Sequence, residues 1–156
     1  MSAGSKGFTY VGFLIFLAVA GAGMAAFGEL ASHVAQREKE AELLFRGNAY
    51  RAAVESYYSK EQRYPQSLEQ LLEDKRFPMP VRHLRKLYPD PMTGAADWAL
   101  LEAPGGGLMG VHSRSEEAPI KRGNFSAKDE AFADAKSYAE WKFFYQPSPA
   151  GSKPAG

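Results

Sequence analysis

Hydrophobic and polar positions divide the chain into an apolar first part and an amphipathic second part. No charged residue occurs between Lys6 and Glu29, whereas residues 29–60 mix charges with good helix formers and contain no proline. Within that second part, apolar or small residues recur every three or four positions, which is the period of one helix face. They are Leu43, Gly47, Tyr50, Val54 and Tyr57. The pattern predicts one continuous helix from about Phe8 to about Lys60, with its second half packed on a domain.

The uncharged segment after Lys6 is long enough to cross a bilayer, because a spanning helix needs about 20 apolar residues. The charged run at residues 37–42 is then predicted to lie in solvent just outside the membrane. An ordinary secretory signal also has a basic start, an apolar centre and a small-residue cleavage site. Residues 18–20 and 20–22 both fit such a site, and cleavage there would release a soluble periplasmic domain. Both alternatives stand at this point.

Turn residues predict a small α+β domain after the long helix. Tyr64-Pro65 ends the helix, because proline restricts the residue before it. Residues 67–70 read as a capping box, which predicts a short second helix with its leucines on one face. Residues 81–88 are predicted to form another short turn, and the proline-rich residues 89–94 a compact loop.

Three strand-like runs follow, at residues 98–103, 108–113 and 140–146. The first two are joined by residues 104–107 and are predicted to form a hairpin. In the third, Trp141, Phe143 and Tyr145 alternate onto one face. A polar loop at residues 114–139 separates the second strand from the third, and residues 147–156 form a low-complexity tail that is predicted to be disordered.

The start of the chain resembles the type IV pilin and type II secretion pseudopilin superfamily. The resemblance is carried by Lys6, Gly7, Phe8 and Thr9, a brief basic leader that ends in glycine before a Phe-Thr start. It implies that prepilin peptidase cuts between Gly7 and Phe8 and methylates the new terminal Phe8. It also implies a leader at residues 1–7, a transmembrane and filament-core helix at 8–30, a periplasmic pilin-like domain at 31–146 and a tail at 147–156.

A second region of resemblance lies in the predicted domain. Residues 87–94, followed by Asp97 and Trp98, are similar to the Asp-Pro loop and next strand of major pseudopilins. Residues 64–72 are similar to their second helix. The implied fold is the α+β pilin fold, in which a long N-terminal helix packs on a small antiparallel sheet of about three strands.

Gly12 is a departure from the family pattern, because most members have glutamate at the fifth mature position. That glutamate neutralises the terminal amine of a neighbouring subunit, and a buried charge without its partner is costly. Subunit docking must therefore differ here, or this subunit occupies a place where the pair is not needed. The residues expected to pack in a filament are Phe8, Tyr10, Gly12, Phe13 and Phe16. Small residues in such helices allow close approach.

Composition excludes several other functions and sites. The formal net charge of +1 gives no strong field for nucleic acid, and the absence of cysteine excludes disulfides and thiolate metal sites. The three histidines have no metal-ligand spacing, so each is expected to be an ordinary surface or edge residue. The basic residues 82–86 are expected to form a solvated turn or to contact an acidic neighbour. The family resemblance makes Asp129 and Asp134 candidates for a calcium site, although no cofactor is required.

The sequence therefore predicts a structural subunit that is not an enzyme. The expected partners are copies of itself or other pseudopilins, prepilin peptidase and an inner-membrane assembly platform, with assembly driven by an ATPase. The expected location is the inner membrane, with a single spanning helix and a periplasmic domain. The alternatives are the released soluble periplasmic domain and a minor or tip pilin of a type IV pilus or DNA-uptake system.

Overall fold

A computed structural model describes residues 6–148, except for the side chains at positions 6, 25 and 26. Residues 1–5 of the predicted leader and residues 149–156 of the predicted tail lie outside the described residues. The chain divides into two compact units, Met1–Glu38 and Lys39–Gly156. The elements are α1 (Lys6–Glu61), β1 (Ala99–Glu102), β2 (Leu108–His112), β3 (Phe143–Phe144) and three 3₁₀ helices at Leu68–Leu71, Ala127–Asp134 and Tyr138–Glu140.

Helix α1 confirms the continuous helix predicted from residue composition and periodicity. It ends at Glu61, and the next residue, Gln62, takes the left-handed conformation (φ 57°) that commonly terminates a helix. The predicted stripe along its second half is buried in the core of the second unit. Gly47 has a particular role in that stripe, since a Cβ atom there would overlap the ring of Phe143. A side chain at this position would force β3 away from the helix.

The sheet is an antiparallel meander in the order β1-β2-β3. It confirms the predicted hairpin, whose loop contains Gly106 and Gly107 at φ values of 91° and 84°, in the left-handed region that favours glycine. The third strand is shorter than predicted, since Tyr138–Glu140 form a 3₁₀ helix and only Phe143 and Phe144 pair with β2. The predicted alternation is nonetheless present, because Trp141 and Phe143 are buried and Lys142 and Phe144 are exposed.

The predicted short second helix is a single 3₁₀ turn at Leu68–Leu71, and the predicted capping box is absent. The Ser67 side chain makes no capping hydrogen bond, and the turn is closed by the Ser67 carbonyl accepting from the N–H of Gln70. Leu71 alone of the predicted apolar face is fully buried. One turn suffices here because the packing of Leu71, rather than helix propensity, holds the segment.

These elements give the α+β fold class predicted from the sequence, a long helix on a small three-stranded antiparallel sheet, an arrangement consistent with a pilin-like fold. The core lies between the second half of α1, the sheet and the second 3₁₀ helix. Its centre is aromatic: the rings of Phe132 and Trp141 stack with centroids 5.4 Å apart, and Phe143 meets Phe132 edge-on at 5.1 Å.

Candidate functional site

The apolar first part of α1 is a long exposed surface that water solvates poorly. All five predicted packing residues lie on it and are exposed, with Phe8 84% and Phe16 67% accessible. In the described part of the chain, α1 is the one helix whose length and composition allow it to cross a membrane. The most apolar segment of this helix is 0% buried. Such a surface needs lipid or other protein to cover it.

The glycines of this segment add no internal contact. A Cβ atom built at Gly12, Gly21 or Gly23 would meet no atom within 4 Å. Their small size therefore serves no packing within the chain, in contrast to Gly47. Small residues on an exposed apolar helix are typical of places where a second helix approaches closely.

A buried ion pair fastens the second 3₁₀ helix to α1. Arg51 Nη1 lies 2.7 Å from Asp129 Oδ1, and both side chains are at most 10% exposed. Asn48 Nδ2 and Ser126 Oγ donate to the other oxygen of Asp129 at 3.0 and 2.9 Å. The guanidinium also lies over the Phe143 ring at 5.6 Å. The four polar groups satisfy one another, which is the condition for a buried charge to be tolerated.

The same pair bears on the calcium candidates. A cation at Asp129 would have to displace the Arg51 guanidinium, which already neutralises the carboxylate. Asp134, the other candidate, is exposed at the end of the same 3₁₀ helix. Among the described residues, no three histidine, aspartate or glutamate side chains come together as a metal site. Calcium binding stays a prediction, and this geometry does not supply its ligands.

Glu40 corrects the expectation that residues 37–42 are fully solvated. Glu40 is 2% exposed, and its Oε1 accepts hydrogen bonds from the N–H groups of Ile120 and Lys121 and from the Tyr138 hydroxyl, at 2.6, 3.1 and 2.9 Å. A carboxylate with three donors can remain in the interior. It holds the polar loop against α1. The signal was available in the sequence, since Glu40 is three residues before Leu43 on the buried stripe.

A second buried carboxylate, Asp74, corrects the interpretation of His83 as a surface residue. The His83 side chain is fully buried, with Nε2 3.1 Å from Asp74 Oδ2 and Nδ1 2.8 Å from Ser56 Oγ. Arg76 donates to both oxygens of Asp74 at 2.8 and 2.6 Å. Because a carboxylate only accepts, Nε2 carries the proton, and in the neutral ring Ser56 donates to Nδ1.

A hydrolase triad uses the same residue types as Ser56, His83 and Asp74. The arrangement here is instead that of a structural hydrogen-bond network. The hydroxyl contacts Nδ1 and the carboxylate contacts Nε2, and the 0% exposure of the imidazole leaves no room for a substrate beside it. The network instead links α1 to residues 74–83. Of the two other histidines, His33 is exposed as expected, and His112 is half-buried at the end of the central strand, β2.

The Asp74 network predicts a specific pH dependence of stability. Hydrogen bonds from Arg76 hold the pKa of the Asp74 carboxyl well below its usual range, against the opposing effect of burial. The stability that it contributes is therefore present above the unfolded-state pKa of about 4 and is lost as the pH falls toward the folded-state value. We expect Asp74→Asn to be less stable at pH 7, and to lose less stability than the wild type on acidification below about pH 4.

The measurement is chemical unfolding of the full chain in detergent at a series of pH values. Glu55→Gln, on the exposed face of α1, is the matched control and should follow the wild type at every pH. Parallel wild-type and Asp74→Asn profiles would show that Asp74 is not held in its charged form by the fold.

The predicted Asp-Pro loop is compact and is fastened from within. Asp90 is fully buried; Ser113 Oγ donates to its Oδ2 at 2.6 Å, and the Met92 N–H donates to its Oδ1 at 2.9 Å. The preceding carbonyl, of Tyr88, accepts from the Trp98 indole N–H at 2.7 Å. The loop therefore joins the start of β1 and the end of β2 as a structural element.

Comparison of the chain with protein-family models, curated proteins and solved structures gave no match.

Proposed function

We propose that this protein is a structural subunit of a type II secretion pseudopilus or a related type IV pilus-like filament. It would be made in the inner membrane with its second unit in the periplasm, cut by prepilin peptidase after Gly7 and methylated at Phe8. It has no enzymatic role in this proposal. Its partners are further copies or other pseudopilins, together with the inner-membrane assembly platform and its ATPase.

The observation that carries the proposal is that the exposed apolar segment and the buried core stripe belong to one helix, Lys6–Glu61. The most apolar segment of α1 is 0% buried, so the first half of the helix does not pack on other residues of its own unit. Lipid satisfies it before assembly, and a bundle of equivalent helices satisfies it afterwards. A cut between Gly7 and Phe8 leaves this segment on the mature chain, whereas cleavage after Ala20 or Ala22 would remove most of it.

Filament incorporation tests the proposal directly. The tagged full chain is expressed in cells that hold a type II secretion system, and sheared surface filaments are probed with antibody. We expect the chain in filaments when the assembly ATPase is active, and only in the membrane fraction when it is inactivated. A chain found in the soluble periplasmic fraction under both conditions would contradict the proposal and support the released-domain alternative.

Gly12 provides a prediction about how subunits dock. A carboxylate at this position could pair with the terminal amine of a neighbour, and a Cβ atom here meets no described atom within 4 Å. We therefore expect Gly12→Glu to be incorporated at least as well as the wild type, in the same shearing assay. Gly12→Gln, which has the same shape without the charge, is the control and should not gain. Loss of incorporation with both variants would mean that neighbouring helices pack too tightly at this position for any side chain.

A further inference from the structure

Hydrogen bonds to buried groups hold the backbone of the basic residues 82–86 in place. The Leu71 carbonyl accepts from the N–H groups of both His83 and Leu84 at 2.9 Å, and the His83 side chain is locked against Asp74. The side chains of His83 and Leu84 are therefore buried, whereas those of Arg82, Arg85 and Lys86 are exposed. We refer to these three cations as the basic face.

The basic face carries charge that the described part of the chain does not neutralise. Within residues 6–148, Arg82 and Arg85 form no ion pair, in contrast to Arg51 and Arg76. The Lys86 ammonium lies 5.3 Å from the centre of the Tyr88 ring, which leaves its positive charge in place. Met79 lies beside the basic face in sequence, 81% exposed between two exposed prolines. Exposed methionine is typical of binding surfaces because its side chain adapts to a partner.

An acidic counterpart is fixed in the same manner in the polar loop. The Glu117 carbonyl accepts from the N–H of Tyr138 at 3.1 Å, and the Ser115 carbonyl accepts from the N–H of Ala139 at 2.9 Å. The side chains of Glu116 and Glu117 are exposed and form no ion pair within the described residues. We refer to these two carboxylates as the acidic face.

We propose that the basic face of one copy docks on the acidic face of a second copy. The charges are complementary, both backbones are fixed before contact, and preorganisation reduces the entropy lost on binding. Because the contact joins two different patches of the same chain, it is heterologous, and a heterologous contact that does not close generates an open filament. The inference rests on the proposed function and names the contact between second units that accompanies helix packing.

Exposed ion pairs contribute little affinity, about 0.2–1 kcal/mol each in general. The role of this contact is therefore to set the register between copies that the apolar helices already hold together. It should weaken with salt, because screening shortens the reach of exposed charges.

Disulfide cross-linking in membranes tests the contact, and the absence of native cysteine makes engineered pairs unambiguous. One tagged copy of the full chain carries Met79→Cys, next to the basic face, and a differently tagged copy carries Ala118→Cys, next to the acidic face. All five charges are kept. We expect a mixed dimer on oxidation, with a yield that falls when salt is raised from about 0.05 to about 0.5 M.

Charge reversal supplies the decisive comparison. Arg82→Glu/Arg85→Glu in the first copy should lower the cross-link yield by about threefold or more, since like charges then meet. Glu116→Lys/Glu117→Lys in the second copy should lower it similarly, and the two reversals together should restore the wild-type yield. The matched control, Lys60→Glu/Lys128→Glu, makes the same change in net charge at other exposed positions and should leave the yield unchanged.

A third pair of copies, each with Val19→Cys on the exposed apolar part of α1, separates this contact from the filament proposal. Cross-linking at Val19 without any at the Met79 and Ala118 positions would overturn the docking contact and leave the filament proposal standing. Absence of both cross-links would overturn the docking contact, and the shearing assay would then decide the filament proposal by itself. A Met79 and Ala118 cross-link that is unaffected by the reversals would also overturn the charge-based contact.

Discussion

Gly7→Val is expected to leave the chain at its full length and to keep it out of filaments. The proposed peptidase accepts a small residue before the cut, and the branched side chain of valine would prevent the scissile bond from being presented. Without a free terminus at Phe8, the apolar part of α1 stays capped by its leader and stays in the membrane. Intact-mass spectrometry of the membrane fraction and probing of sheared filaments check the two parts of this prediction.

Gly21→Val is the matched control for this experiment. It introduces the same side chain into the apolar part of α1, where a Cβ atom meets no neighbour within 4 Å. We expect it to be processed after Gly7 like the wild type. If Gly7→Val left processing unchanged while Gly21→Val altered it, the cut would lie near residues 20–22, and the protein would be a secreted domain with an ordinary signal.

Arg51→Met is expected to lower the free energy of unfolding by about 3 kcal/mol or more. The substitution preserves an apolar stem over Phe143 but leaves the Asp129 carboxylate buried with two neutral donors in place of its cation. Breaking a buried pair on one side is costly because the remaining charge is uncompensated. Thermal unfolding of the full chain in detergent, followed by near-ultraviolet circular dichroism, should show the midpoint lower by roughly 10 °C.

Two further variants identify the cause of this loss. Arg51→Met/Asp129→Leu removes both charges and should recover part of the lost stability, because no lone carboxylate remains. Arg63→Met changes an exposed arginine and should stay within about 0.5 kcal/mol of the wild type. Equal stability of the single and double variants would show that the unpaired Asp129 carboxylate is not the cause of the loss.

The elements that could be predicted from sequence are those specified by local patterns. The limits of α1, the buried stripe from Leu43 to Tyr57 and the β1–β2 hairpin follow from periodicity and from turn residues. Each of these depends on residues close together along the chain. The exposed apolar segment of α1 was predictable for the same reason, because charge is absent between Lys6 and Glu29.

The polar networks could not be predicted, because their members are far apart in sequence. Arg51 and Asp129 are separated by 78 positions, and Glu40 and Tyr138 by 98. Local sequence places Glu40 on the buried face of α1, three residues before Leu43, but it does not show which distant groups contact Glu40 or Asp129. The lengths of the short elements were wrong for a related reason: at Leu68–Leu71 and Tyr138–Glu140, packing of Leu71 and Tyr138 fixes a 3₁₀ turn that neither propensity nor alternation predicts.

The site of processing is the most direct test of the central claim that α1 survives maturation as an assembly element. The measurement is the intact mass and terminal sequence of the mature chain, from cells with and without prepilin peptidase. We predict a chain that begins at methylated Phe8 when the peptidase is present, and the uncut chain when it is absent. A mature chain that begins at Gly21 or Gly23 in both strains would contradict this account.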